Sequence, residues 1–475
     1  MDITYPISDL GTYDFIIVGA GTVGSVIATR LSEIHNWNIL LLEAGGEETD
    51  FSRIPNMMHY LQFSEMNWGY LTTPQKNGCF GMKERKCMAL RGKCVGGTSA
   101  INDLMYLGAS KTQINVKFGK RQSSGTVFLE NARQRTNLRL ITKALVTKII
   151  INKKKKVAEG VLFVKGNFKY SVNARKEVIV CGGPYNSPQL LMLSGIGPKD
   201  HLEEVGIEVI EDLPVGENLL ERPLFQGLTF RTNYTFAGGL KEAIPQYLEG
   251  LGPLTNPANM EAVGFIHTKD VPGGVPMFEY IFIPPNSINP VLNRVYNFDG
   301  DLTDNYLSNI NRTTDMTFSL VLLHQKSKGR VTLKSKNPID FPNIDVNLFG
   351  QPEDSDNLLK GIEFLLKLSK TKAFRNIDAT LVDIPFCECF EKYSVPYWNC
   401  AIRHMAMTSN QPYGTVAMGR SKKNSVVDNS LKVHGIKKLR VVGAAIFPST
   451  ISGHPSTVAV MVAEKISDVI KDKYF

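Results

Sequence analysis

No stretch of this 475-residue chain is apolar over enough length to span a bilayer, so no membrane span is expected. Residues Met1 to Thr12 lack the apolar core of a signal peptide, and the chain is read as carrying no secretion signal. Two sequons, Asn233-Tyr234-Thr235 and Asn311-Arg312-Thr313, pull the other way, and localisation stays open. The seven cysteines contain no repeated C-x-x-C. Their odd count, with close groups at Cys79/Cys87 and Cys387/Cys389/Cys400, argues against a zinc site and leaves the redox compartment undecided. Long runs of one charge are scarce too. The net charge is +9, yet the basic residues are dispersed apart from Lys153 to Lys156 between two expected strands. That run reads as a solvated hairpin tip, and no nucleic-acid partner is expected. What remains is an ordinary globular composition, 43% hydrophobic and 21% charged, on a length that suits two or more domains.

The most informative stretch runs from Asp14 to Glu43. Phe15 to Val18 is an apolar run ending in glycine, which predicts a buried parallel strand. Gly19, Gly21 and Gly24 occupy the G-x-G-x-x-G positions, and Ser25 to Ser32 continues as a helix. The first glycine permits a tight turn, the second lets backbone approach a pyrophosphate, and the third lets helix pack on strand. An anion then sits at the helix N-terminus, favoured by unpaired N–H groups and the helix dipole. Glu43 ends the next apolar run, Ile39 to Leu42, where an acid can accept hydrogen bonds from ribose hydroxyls. Strand, helix and acid together indicate dinucleotide binding, without separating flavin from nicotinamide.

Further along, Gly96-Gly97-Thr98-Ser99-Ala100-Ile101-Asn102 places two glycines and two hydroxyls at an expected helix start. It suits either a second approach to the cofactor or simply a capped helix. Leu138 to Ile151, Val157 to Val164 and Asn167 to Val172 predict a three-stranded meander, and Glu177 to Cys181 a separate strand ending in glycines. Beyond Phe225 the pattern changes. Phe278 to Ile283, Thr317 to His324 and Arg330 to Leu333 read as an antiparallel sheet, with an amphipathic helix at Asp354 to Leu368. Leu439 to Gly443 and Thr457 to Ile470 read as a strand and helix returning to the first domain. The expected fold is therefore α/β: a doubly wound dinucleotide domain with an appended β-meander, plus an α+β substrate domain on an antiparallel sheet. The expected boundaries are 1–224, 225–425 and 426–475.

Taken together, the motifs resemble the glucose–methanol–choline oxidoreductases, most closely the insect glucose-dehydrogenase-like branch. They are the opening glycine turn with Glu43-Ala44-Gly45, Gly96 to Asn102, Gly182 to Leu191, Ser194 to Pro198, Val215 to Leu219, Gly414-Thr415 with Met418-Gly419, and Val433 to Ile436. The resemblance implies non-covalent FAD. It assigns Gly19, Gly21, Thr22, Gly24, Glu43 and Ala44 to the dinucleotide half, and Thr98, Ser99 and Asn102 to the flavin side. It also assigns Val146 to the adenine side and adds Ala444 from the C-terminal return. The implied chemistry oxidises a C–OH group of an alcohol or sugar, passing hydride to flavin N5 and on to an acceptor other than oxygen. A base must withdraw the hydroxyl proton, and a neutral imidazole suits that near neutrality.

In relatives a histidine shortly before the Gly-Thr pair and a second His or Asn near the C-terminus serve this chemistry. Here the second position is His454, and the first is Gln411, which cannot take up a proton near neutrality. Other departures are Gly443 in place of Asp, and Glu221-Arg222 in place of an Asp-His pair. At Ala109 to Gln113 the chain also passes over a long family segment of the substrate lobe, which is expected to leave the substrate cavity partly uncovered. Two readings follow: an active FAD-dependent alcohol or sugar dehydrogenase, or a flavin-binding or apo protein without turnover.

Overall fold

The computed structural model describes residues 6–106, 110–111, 113–235, 239–257, 260–267, 274–285, 295–311 and 313–475. The junction near 109 falls partly outside them, as does Arg312 of the second sequon. Strand β1 (Ser8–Val18) is followed by α1 (Thr22–Leu31) and β2 (Ile39–Leu42). Every residue of β2 is buried, which is why its sequence is continuously apolar rather than alternating. Then come β3 (Leu138–Ile141), β4 (Leu145–Asn152), β5 (Val157–Lys165) and β6 (Phe168–Val180), with α2 (Gly183–Leu193) after them.

These strands form one sheet in the order β3-β2-β1-β6-β5-β4. Three expectations need correction. Arg330–Thr332 does not join the sheet of 278–283 and 317–324; it pairs with Asn343–Asp345 in a separate two-stranded sheet. Leu138 to Ile141 is not part of the meander; it pairs parallel to β2 at the opposite edge. The two runs 167–172 and 177–181 belong to one long strand, β6, which runs parallel to β1 with two register shifts. The charged break at Arg175-Lys176-Glu177 hid this continuity. In the fold those charges are satisfied in place: Arg175 pairs with Asp14 at 3.1 Å, and buried Glu177 pairs with Arg440. The lysine run forms the turn between β4 and β5, as expected.

The second sheet uses β7 (Pro223–Arg231), β8 (Ala262–Ile266), β9 (Phe278–Ile283) and β10 (Asp315–Leu322). Its order is β7-β10-β9-β8, flanked by short strands at Thr380–Leu381 and Ser110–Lys111. Helix α3 (Pro352–Leu368) buries Leu358, Ile362 and Leu365, and Gly361 lets it settle against Leu320 and Phe278. Helix α4 (Val395–Met405) leads into β11 (Ala406–Thr408), which pairs with β7. Strand β12 (Leu439–Val441) then joins β6, and α5 (Pro455–Tyr474) lies along α1, tied by Arg30–Glu464 at 2.6 Å and Lys471–Glu33 at 2.7 Å. The two sheets have separate apolar cores. Disulfides Cys79–Cys87 and Cys387–Cys400 lie in the second core, and Cys94, Cys181 and Cys389 are free. Among the described residues no helix is long and apolar enough to cross a membrane.

Candidate cofactor and active site

The loop between β1 and α1 explains its own glycines. Gly19 holds φ +101°, and a Cβ there would come 2.7 Å from the Cys181 carbonyl oxygen. A Cβ on Gly24 would lie 1.8 Å from the Gly19 carbonyl oxygen, so helix and strand touch backbone to backbone. Gly21 differs: a Cβ there would meet only Gly97 Cα, at 3.7 Å. The protein itself does not fill the space beside Gly21. Helix α1 starts there with no side-chain cap and no acid in its first turn, so its amide groups face open space. A pyrophosphate fits such a cradle by shape and by charge.

Glu43 accepts from the Ala20 amide at 2.8 Å and the Gly45 amide at 2.9 Å. Burial pushes its carboxyl up to about 7, while those amides and the nearby Lys93 charge pull the other way. Gly19, Gly21, Thr22, Glu43, Ala44, Thr98, Ser99, Asn102, Val146, Ala444, Gln411 and His454 all line one cavity of about 340 Å³. Gly24 does not line it; its part is the helix contact.

The Gly96 to Asn102 stretch is a single 3-10 turn, Gly97–Ala100, rather than the start of a longer helix. Its side chains are held from behind. Thr98 accepts from the Gly92 amide at 3.1 Å, and Ser99 pairs with Ser124 at 2.9 Å. Buried Arg121 donates to the Asn102 carbonyl oxygen at 2.6 Å and to its side chain at 3.2 Å. Arg121 and Ser124 lie just past the junction near 110, so the chain re-enters with this support intact. Neither residue stood out in the sequence.

The cavity is roofed by the second sheet, where alternate residues of three strands face in: Leu224 and Gln226, Ser319 and Val321, and Ile281. On the same strand as Ile281, two residues earlier, is the fully buried Glu279. His454 Nε2 and Glu279 Oε1 are 2.9 Å apart, and Glu279 Oε2 has no hydrogen-bond partner among the described residues. Burial pulls the His454 imidazole down, but the Glu279 charge and hydrogen bond and the charge of Asp103 outweigh it, so its pKa lies above the ordinary 6.5. The sequence did carry one signal for Glu279: an acid alternating with Ile281 and Ile283 on one strand face.

Gln411 sits in a different net. Its side-chain oxygen accepts from Arg222 Nη1 at 2.8 Å, and its amide N–H donates to Glu221 at 3.0 Å. Arg222 is fully buried and also donates to the Ile451 and Gly453 carbonyl oxygens, the latter at 2.8 Å. It therefore ties Gln411 to the loop that carries His454. Burial raises the Glu221 carboxyl above its ordinary range, against the pull of the Arg91 charge, the Gln411 amide and the Ser409 hydroxyl.

Known proteins share this fold. Residues 107–224 and 325–463 match family models described as GMC oxidoreductase. Glucose dehydrogenase (FAD, quinone) of Drosophila pseudoobscura pseudoobscura is 30% identical, covering 97% of this chain and 87% of the relative. Ecdysone oxidase of Bombyx mori is 29% identical, covering 97% and 82%. The first alignment runs over 555 residues, more than the 475 of this chain, so the relative carries sequence that this chain lacks. A variant formate oxidase of Aspergillus oryzae RIB40 shares the fold with a TM-score of 0.84 at 23% identity, over 98% of this chain and 99% of that one. The cradle suits a dinucleotide, and the relatives identify it as FAD. The chain belongs to the glucose–methanol–choline oxidoreductases and is an FAD enzyme of that family.

Proposed function

We propose that the protein oxidises the CH–OH group of an alcohol or sugar, with His454 withdrawing the hydroxyl proton. FAD, when bound, supplies the hydride acceptor. The observation that carries this reading is that His454 and Gln411 line the same cavity as the Gly19 to Thr22 cradle. Glu279 holds Nε2 of His454, which leaves Nδ1 as the ring nitrogen for the substrate hydroxyl. Arg222 occupies the Gln411 oxygen, which leaves the Gln411 NH2 group to donate to the substrate oxygen. Gln411 is then an orienting donor and His454 the base.

Relatives that are named enzymes support turnover over a non-catalytic role. An acceptor other than oxygen is supported by glucose dehydrogenase (FAD, quinone) and by the alcohol dehydrogenase (acceptor) of Pseudomonas putida, 28% identical to this chain. The division near 225 and 425 belongs to the same proposal, supported by the two separate cores. The test is the visible spectrum of the purified protein, followed by anaerobic addition of alcohols and sugars. Flavin absorption that bleaches with one of them is the expected result. A flavin-loaded protein that no alcohol or sugar bleaches overturns the reading.

A further inference from the structure

Behind the main cavity lies a smaller chamber of about 70 Å³. His59, Gln226, Met260 and Tyr296 line both spaces and form the passage between them. Beyond the passage the walls are largely apolar, with Phe298, Leu302, Ile310, Met405 and Met407. Polar groups of His59, Thr229, Tyr306 and Thr317 interrupt them. His59 is 4% exposed and its Nε2 has no hydrogen-bond partner among the described residues, while the Tyr306 hydroxyl, 1% exposed, has only Thr229 beside it. The Thr229 hydroxyl pairs with Thr317 at 3.0 Å and also interacts with the Tyr306 hydroxyl. A buried polar side chain is rarely left so, and His59 Nε2 facing an apolar chamber that opens on the main cavity indicates a missing ligand group. Burial alone pushes His59 down to about 4, so it is a neutral imidazole that suits a neutral oxygen rather than a carboxylate.

We propose that this chamber receives the far end of the substrate, and that the substrate is an alcohol with an extended apolar skeleton ending in a second neutral oxygen group. The inference rests on the alcohol-oxidising reading above and names its substrate class. A free hexose is a poor match, because most of its hydroxyls would be buried against Met, Leu, Ile and Phe with no partner. An apolar chain fills those walls, and its terminal hydroxyl or carbonyl reaches His59 and Tyr306.

The test compares n-propanol, n-octanol, the terminal octanediol and D-glucose on the FAD-loaded enzyme with an artificial electron acceptor. Octanol is expected to exceed propanol in kcat/KM by about tenfold or more through methylene burial, and octanediol to exceed octanol by about tenfold through the added hydrogen bonds. His59→Phe and the nearly isosteric Tyr306→Phe should each lower the octanediol-to-octanol ratio, with the change in KM rather than kcat. Met407→Trp should fill the chamber and collapse the octanol-to-propanol ratio. Retained flavin absorption shows that each variant has folded. Equal use of propanol and octanol, or ratios unmoved by all three substitutions, overturns the chamber as a subsite while leaving alcohol oxidation standing. Oxidation of none of the four probes by the parent overturns the underlying reading instead.

Discussion

On the dinucleotide side of the cavity the working groups are backbone amides, placed by glycine conformations and by close backbone contacts, including that of Gly19 with the Cys181 turn. On the substrate side they are side chains held by partners far away in sequence. Gly19 and Gly24 need nothing beyond the adjoining strand, helix and the Cys181 turn. His454 depends on Glu279, 175 residues away, and Gln411 on Arg222, 189 residues away. The first side is set by backbone against backbone and retains its glycine motif. The second can be rewired by one substitution at either end of a pair, and Glu221-Arg222 with Gln411 is such a rewiring.

The comparison is tested most sharply by glycine substitutions. Gly21→Val should leave a folded protein with no flavin absorption, because its side chain enters space that only a ligand occupies. Gly24→Val should lose the fold as well, since a Cβ there meets backbone at 1.8 Å. Circular dichroism beside the visible spectrum separates the two, and a flavin-bound Gly21→Val would break the assignment.

On the substrate side, His454→Ala should keep FAD and lower alcohol-dependent bleaching by about 10²–10⁴-fold, the usual contribution of a positioned base. Gln411→His alone should gain little, because Arg222 would donate to the new imidazole and tie up its lone pair. Adding Arg222→His restores the family pattern at both positions, and the gain should appear only in the double variant. Equal gains in single and double variants would show that Arg222 does not control position 411.

A smaller loss is expected at Glu43. Hydrogen bonds to a charged group contribute roughly 1.5–3 kcal/mol, so Glu43→Ala should weaken FAD binding by about one to two orders of magnitude. Fluorescence titration of the apoprotein measures it, and an unchanged dissociation constant would remove Glu43 from the cofactor side.

The mildest change concerns pH. His454 has a raised folded-state pKa, so its pairing with Glu279 stabilises the fold fully below 6.5 and less as pH rises through the folded value. Its work as a base runs the opposite way, with activity rising as the imidazole deprotonates. Glu279→Gln should therefore move the acid limb of kcat/KM to lower pH. A limb that stays in place would mean another group sets it.

The same difference decides what the sequence discloses. Gly19, Gly21, Gly24 and Glu43 are legible because their constraints are local: a positive φ, a backbone contact, the end of an apolar strand. Strand β6 was misread in two pieces because its central charges are neutralised by Asp14 and Arg440, which only the folded chain brings near. His454 and Gln411 could be placed by counting from neighbouring motifs, but not their partners. In the sequence Arg222 shows only as a departure from the family's Asp-His pair; the fold shows it fully buried against three carbonyl-type oxygens.

Both disulfides stand in the second core, beneath the antiparallel sheet. Their loops are short, with separations of 8 and 13 residues, and a closed loop of that size restrains the unfolded chain by about 3 kcal/mol. The Cys79 loop docks on the end of α4, through the Cys79 amide to the Ala406 carbonyl oxygen and the Gly81 amide to the His404 carbonyl oxygen. The choice of expression host therefore bears on the two halves unequally. Protein made where thiols stay reduced forgoes both crosslinks in the second core, while the glycine turn and its strand contain no disulfide. Such material can be yellow and well behaved on a column while its substrate lobe is only loosely assembled, so flavin content is no measure of the competent fraction.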